Sequence, residues 1–153
     1  MSFTLSTAEI DTIRSILDKH NLSLEELKFL LSKQTVPVSI FKTGIGPLAA
    51  LCIYLKDYEK LSLSEIANKL NRDQRTIWAT YNKAKQKVRN LELDSLRVPL
   101  SIFQNRRKSI MENLVYHLRS ELNMTLKDIA KLLGRNNKTI WCFYSRALKK
   151  NEN

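Results

Sequence analysis

The sequence predicts an all-α fold made of two tandem three-helix units behind an amino-terminal helical hairpin. Three observations lead there. Only three Gly and three Pro occur in 153 residues, which favours helices joined by short turns. Apolar residues recur at spacings of three and four along much of the chain. The sequence also matches itself at a period of 62 to 63 residues, the mark of a duplicated unit.

The leader, residues 1–35, begins with a helical stripe of Ile10, Ile13, Ile16 and Leu17. Ser23-Leu24-Glu25-Glu26 is a capping box, with Leu27, Leu30 and Leu31 behind it. No polar third helix follows, so a degenerate third copy and an ordinary helical hairpin both fit. With four basic and five acidic side chains, the leader suits a homodimer or another protein contact better than a polyanion.

Unit 1, residues 36–90, opens on Val36-Pro37-Val38-Ser39-Ile40-Phe41. Pro disfavours helix in the residue before it, so this reads as a short extended arm whose Ile and Phe plug the base of the unit. Pro47 suits a first helical position, with Leu48, Leu51, Cys52 and Leu55 on one face. Ser62-Leu63-Ser64-Glu65 is a capping box for a second helix carrying Ile66, Ala67 and Leu70. Asn71-Arg72-Asp73 breaks the pattern, and Asp73 caps a third helix running to about Lys87. Its inward stripe is Ile77, Thr80, Tyr81 and Ala84.

Residues 91–97 read as a connector. Unit 2, residues 98–153, then repeats the series. Val98-Pro99-Leu100-Ser101-Ile102-Phe103 answers the first arm at an offset of 62, and Thr125-Leu126-Lys127-Asp128 answers the second capping box at 63. Ile129, Ala130 and Leu133 follow, then Gly134-Arg135, then the stripe Ile140, Phe143, Tyr144 and Ala147. Thr139-Ile140-Trp141 matches Thr76-Ile77-Trp78 outright.

Charge narrows the partners. The formal net charge is +11, with 43% apolar and 27% charged residues. The leader carries −1, while residues 36–90 and 91–153 carry +6 each. That imbalance points to a polyanion, and the apolar faces are committed to cores, so nucleic acid is expected and membrane is not. No run of transmembrane length or signal peptide is seen. Cys52 and Cys142 are isolated thiols, and with His20 and His117 far apart neither a metal nor another cofactor is expected. No catalytic constellation stands out, so a non-enzyme of the cytoplasm, at the nucleoid, is the expectation.

Segments 63–82 and 126–145 resemble the helix-turn-helix family, in the three-helix form of region four of bacterial sigma factors and of homeodomain-like repressors. The family pattern sets a small residue in the second helix, a turn former four later and a β-branched residue six beyond. Ala67, Asn71 and Ile77 meet it, as do Ala130, Gly134 and Ile140. Arg72 and Arg135 depart from it, standing where the family usually has an apolar residue.

The resemblance implies that the amino-terminal half of each third helix enters the major groove of double-stranded DNA. Base edges would then face Gln74, Arg75, Trp78, Ala79 and Asn82 in unit 1, and Asn137, Lys138, Trp141, Cys142 and Ser145 in unit 2. Phosphates would meet Arg72, Thr76, Lys83 and Lys85, and Arg135, Thr139, Arg146 and Lys149. Arg106, Arg107 and Lys108, just before the first helix of unit 2, would add a further phosphate grip. Trp78 and Trp141 follow the core Ile directly, so packing and groove-facing roles both fit. Sequence-specific binding and transcriptional regulation come first, with two similar half-sites ~10 bp apart. A low-specificity architectural or genome-packaging protein and a sigma-like adaptor contacting a polymerase are the alternatives.

Overall fold

The two proline-containing arms, expected to serve separate units, meet each other. In the computed structural model, which describes residues 4–25, 27, 34–88, 90–93 and 96–153, Thr35–Pro37 (β1) pairs antiparallel with Arg97–Pro99 (β2). Val36 lies opposite Val98, Thr35 opposite Pro99 and Pro37 opposite Arg97. Val36 and Val98 are equivalent in the repeat, so the pairing is symmetric about them. Each strand ends at Pro, which has no N–H to give a ladder, and passes into a 3-10 turn, Val38–Lys42 or Leu100–Gln104.

Seven α-helices occur among the described residues, and the fold is mostly helical. They are α1 (Thr7–His20), α2 (Pro47–Ile53), α3 (Leu63–Lys69), α4 (Gln74–Ala84), α5 (Ile110–Ser120), α6 (Leu126–Leu133) and α7 (Asn137–Glu152). A π-helical turn, Tyr54–Tyr58, extends α2. Side-chain caps set most of the starts. Ser62 and Glu65 form a reciprocal capping box on α3, and Ser109 and Glu112 form one on α5. Thr125 accepts from the Asp128 N–H on α6; its hydroxyl donates to the Asp128 carboxylate, which is too short to reach back to the backbone as Glu does. The third helix of unit 1, expected to reach Lys87, ends at Ala84.

The chain divides into two compact units, Met1–Gln34 and Thr35–Asn153. In the first, α1 carries a Ser6–Glu9 capping box and ends on Asn21 in the left-handed conformation. Its expected stripe is not buried: Ile10 and Ile16 are exposed, and Ile13 and Leu17 are half-buried. The second leader helix falls mostly outside the described residues.

In Thr35–Asn153 both copies of the repeat share one hydrophobic cluster. The arms join them. The Val38–Lys42 turn packs on α2 of its own copy and on α6 of the other, while Leu100–Gln104 packs on α5 and on α3. Phe41 and Phe103 touch, with ring centroids 5.6 Å apart. Each arm therefore fills the junction between the copies, which corrects the expectation of two separately plugged bases. The physical reason is that a three-residue strand leaves unpaired N–H and C=O groups, and the matching arm supplies partners for them.

Asn71 (φ 52°) and Gly134 (φ 62°) occupy the left-handed region at the same place in each copy. There Gly134 turns the chain out of α6, and a Cβ added to it would meet no neighbour. Gly134→Ala is thus expected to cost only the conformational strain, about 1–2 kcal/mol, read as a lowered Tm. Asn71→Gly relieves the left-handed strain but gives up the Asn71 Nδ2 donation to the Gln104 carbonyl at 3.5 Å, so it is expected to lower Tm by less than Gly134→Ala does.

Candidate nucleic-acid interface

The outer faces of α4 and α7 are built from their inner ones. In α4, Ile77 and Ala84 are buried, and the half-buried Tyr81 donates its hydroxyl to Asp57 Oδ1 at 2.8 Å. In α7, Ile140 and Ala147 are buried, and Tyr144 stacks on Tyr116 at 6.4 Å. Ala67 and Ala130, both buried, keep the preceding helices slim where α3 meets α4 and α6 meets α7. Asp73 Oδ1 accepts from the N–H groups of Arg75 (2.9 Å) and Thr76 (3.3 Å). Asn136 Oδ1 accepts from Thr139 N–H at 2.8 Å. These caps satisfy orphan N–H groups and fix where each helix begins.

With the inner stripe committed, the helical period turns the remaining residues outward. Gln74, Arg75, Thr76, Trp78, Ala79 and Lys83 are exposed on α4, with Lys85 just past its end. Asn137, Lys138, Trp141, Arg146 and Lys149 are exposed on α7. The two indoles are 58% and 57% exposed at equivalent positions, so each turns more than half of its surface to solvent. Asn82, Thr139, Cys142 and Ser145 are half-buried. Asn82 Nδ2 donates to the Trp78 carbonyl at 2.9 Å, which leaves its amide partly engaged.

Three cations behave differently from the exposed set. Lys108 is buried, with Nζ 4.4 Å from the Tyr116 ring centroid, and desolvation pulls its pKa down while Glu112 opposes. Its neighbours Arg106 and Arg107 are exposed, so the expected phosphate grip of three cations is reduced to two. Arg72 and Arg135 are half-buried. Their Nε atoms are buried and have no hydrogen-bond partner among the described residues. Both line one cavity of about 430 Å³, together with Pro47, Leu48, Ile110 and Met111. Burial lowers the Arg72 pKa, and the nearby Arg106 adds to the effect.

The copies differ at the far ends of these helices. Glu112, buried on α5, accepts from Lys150 Nζ on α7 at 2.6 Å. Unit 1 has Ala49 and Lys87 at the equivalent positions, and there a cavity of about 310 Å³ opens instead. Burial pushes the Glu112 carboxyl up, but Lys150, the Ser109 N–H and the nearby Arg146 outweigh it and hold its pKa below the ordinary carboxylate value. A depressed carboxyl pKa contributes stability above the unfolded value, and that contribution is lost as pH falls through the folded one. Lys150→Met is expected to cost about 1–2 kcal/mol at pH 7. This is less than the figure for fully enclosed pairs, because the Lys150 side chain is 41% exposed. The gap between wild type and variant should begin to narrow once pH falls into the ordinary carboxylate range, and shrink further as pH drops through the depressed Glu112 pKa in acid melts.

Burial also pushes the Cys52 thiol up to about 12, with Arg72 opposing, which makes Cys52 an inert packing residue. Among the described residues no group of three or more His, Cys, Asp or Glu could hold a metal ion, and no helix is long and apolar enough to cross a membrane. No protein-family model, curated protein or solved structure matches this chain.

Proposed function

We propose that this protein binds double-stranded DNA sequence-selectively, by setting the amino-terminal halves of α4 and α7 in the major groove as two helix-turn-helix recognition helices. The observation that carries this reading is the paired outer face. At equivalent positions, two capped helices each expose an amide, a cation and a large indole, on halves of the molecule that carry +6 each. Two large indoles left more than half exposed at equivalent positions, one in each copy, suit contact with a partner surface. Gln74 and Asn137 can pair with adenine, Arg75 and Lys138 with guanine, and Ala79 can meet a thymine methyl. Arg106, Arg107, Lys83, Arg146 and Lys149 supply phosphate contacts, which position the protein without specifying sequence. Transcriptional regulation is the role that such selectivity serves.

The test is selection of bound duplexes from a random DNA pool with the full chain. Enrichment of one motif, preferred over bulk DNA by roughly 10³ or more, supports the proposal. A pool that stays random although DNA is retained identifies a low-specificity architectural protein. No retained DNA at low salt overturns nucleic-acid binding altogether.

A further inference from the structure

We infer that a single copy of this chain reads two half-sites in opposite orientation, an imperfect inverted repeat with a fixed spacer. This inference rests on the DNA-binding proposal above and concerns the form of the target.

Its basis is the symmetry between the two copies. Val36 pairs with its own equivalent, Val98, and the flanking pairs exchange positions about them. Phe41 meets its equivalent, Phe103. Each arm packs on the second helix of the other copy, and α2 packs on α5, its counterpart. One cavity collects Pro47 with Ile110, Leu48 with Met111 and Arg72 with Arg135, each an equivalent pair. Residue i meeting residue i of the other copy is the signature of a two-fold, isologous relation. Copies related by simple translation along the chain would bring unlike surfaces together and could not pair equivalent strands antiparallel. Although the units are tandem in sequence, they are related in space like the halves of a symmetric dimer.

The consequence for DNA follows from geometry. The duplex backbone has two-fold axes perpendicular to its length. Two protein surfaces related by a two-fold can make the same phosphate contacts only when their axis coincides with one of these. The helices then read the two strands in opposite directions. The half-sites are alike where the helices are alike, at Thr76 and Thr139 and at Trp78 and Trp141. They differ where Gln74, Arg75, Ala79 and Asn82 are replaced by Asn137, Lys138, Cys142 and Ser145. The spacer is fixed because both copies share one core.

The test uses duplexes built from the enriched motif of the pool selection and the full chain. One carries the half-sites inverted at the selected spacing. A second carries them as a direct repeat at that spacing, and a third is inverted with five extra base pairs between them. The inverted duplex is expected to bind one chain per duplex, at least about tenfold more tightly than either of the others, because those let only one helix engage. Equal or tighter binding to the direct repeat overturns the inference while leaving DNA binding intact. So does capture of two duplexes by one chain in sedimentation. A pool that shows no enrichment removes the proposal of selective DNA binding itself, a different failure.

Discussion

Phe103→Ala is expected to destabilise the Thr35–Asn153 unit by about 3–5 kcal/mol, and to do so in both copies at once. Phe103 is fully buried, in ring contact with Phe41, at the point where the arms cross between copies. Truncation leaves a cavity that neither copy can close alone, because both line it. The two copies each hold one indole, Trp78 and Trp141, so Trp141→Phe and Trp78→Phe backgrounds report on one copy apiece. Urea unfolding followed by fluorescence in each background should give coincident transitions, both shifted by Phe103→Ala. A shift confined to the Trp141 signal would show instead that the copies fold independently.

Arg75→Ala combined with Lys138→Ala is expected to erase sequence-selective binding while leaving stability near wild type. Both side chains are exposed on the first turn of their helices, and neither Asp73 nor Asn136, which cap those turns, is altered. Each single change should cost about 1–3 kcal/mol, or roughly 5- to 150-fold in affinity. It should relax base choice in one half-site only. Competition titrations against the enriched duplex and bulk DNA check this. Two single variants that keep wild-type affinity and selectivity would place the recognition surface elsewhere on the molecule.

Local chemistry made the helices legible in the sequence. Ser62 with Glu65, Thr125 with Asp128, and Asp73 each cap the helix expected of them, because capping depends on residues three apart. Asn71 and Gly134 take the left-handed conformation that a chain reversal between helices demands. The inner stripes of α4 and α7 followed from periodicity, and the exposed residues on their outer faces followed from the stripes. Ser109 and Glu112, three apart like Ser62 and Glu65, carry the same signal for α5.

What the sequence concealed is non-local. A three-residue strand has too few positions to show a period of two, so nothing in either Val-Pro arm announced that it would pair with the other. Lys108 reads locally as one of three surface cations, but its Nζ lies over the Tyr116 ring, nearly two turns into α5, with the Glu112 carboxylate also favouring its charge. The Glu112–Lys150 pair joins residues 38 apart in the chain, with no spacing rule to suggest it. Arg72 and Arg135 each follow a turn former in their own copy, and the cavity they share depends on how the copies meet.

The most direct measurement is methylation interference on the enriched duplex, scoring guanine N7 in the major groove and adenine N3 in the minor groove. The expected result is two patches of major-groove interference, one lost with Arg75→Ala and the other with Lys138→Ala. Interference confined to the minor groove, or two patches unchanged by either substitution, would contradict recognition through α4 and α7.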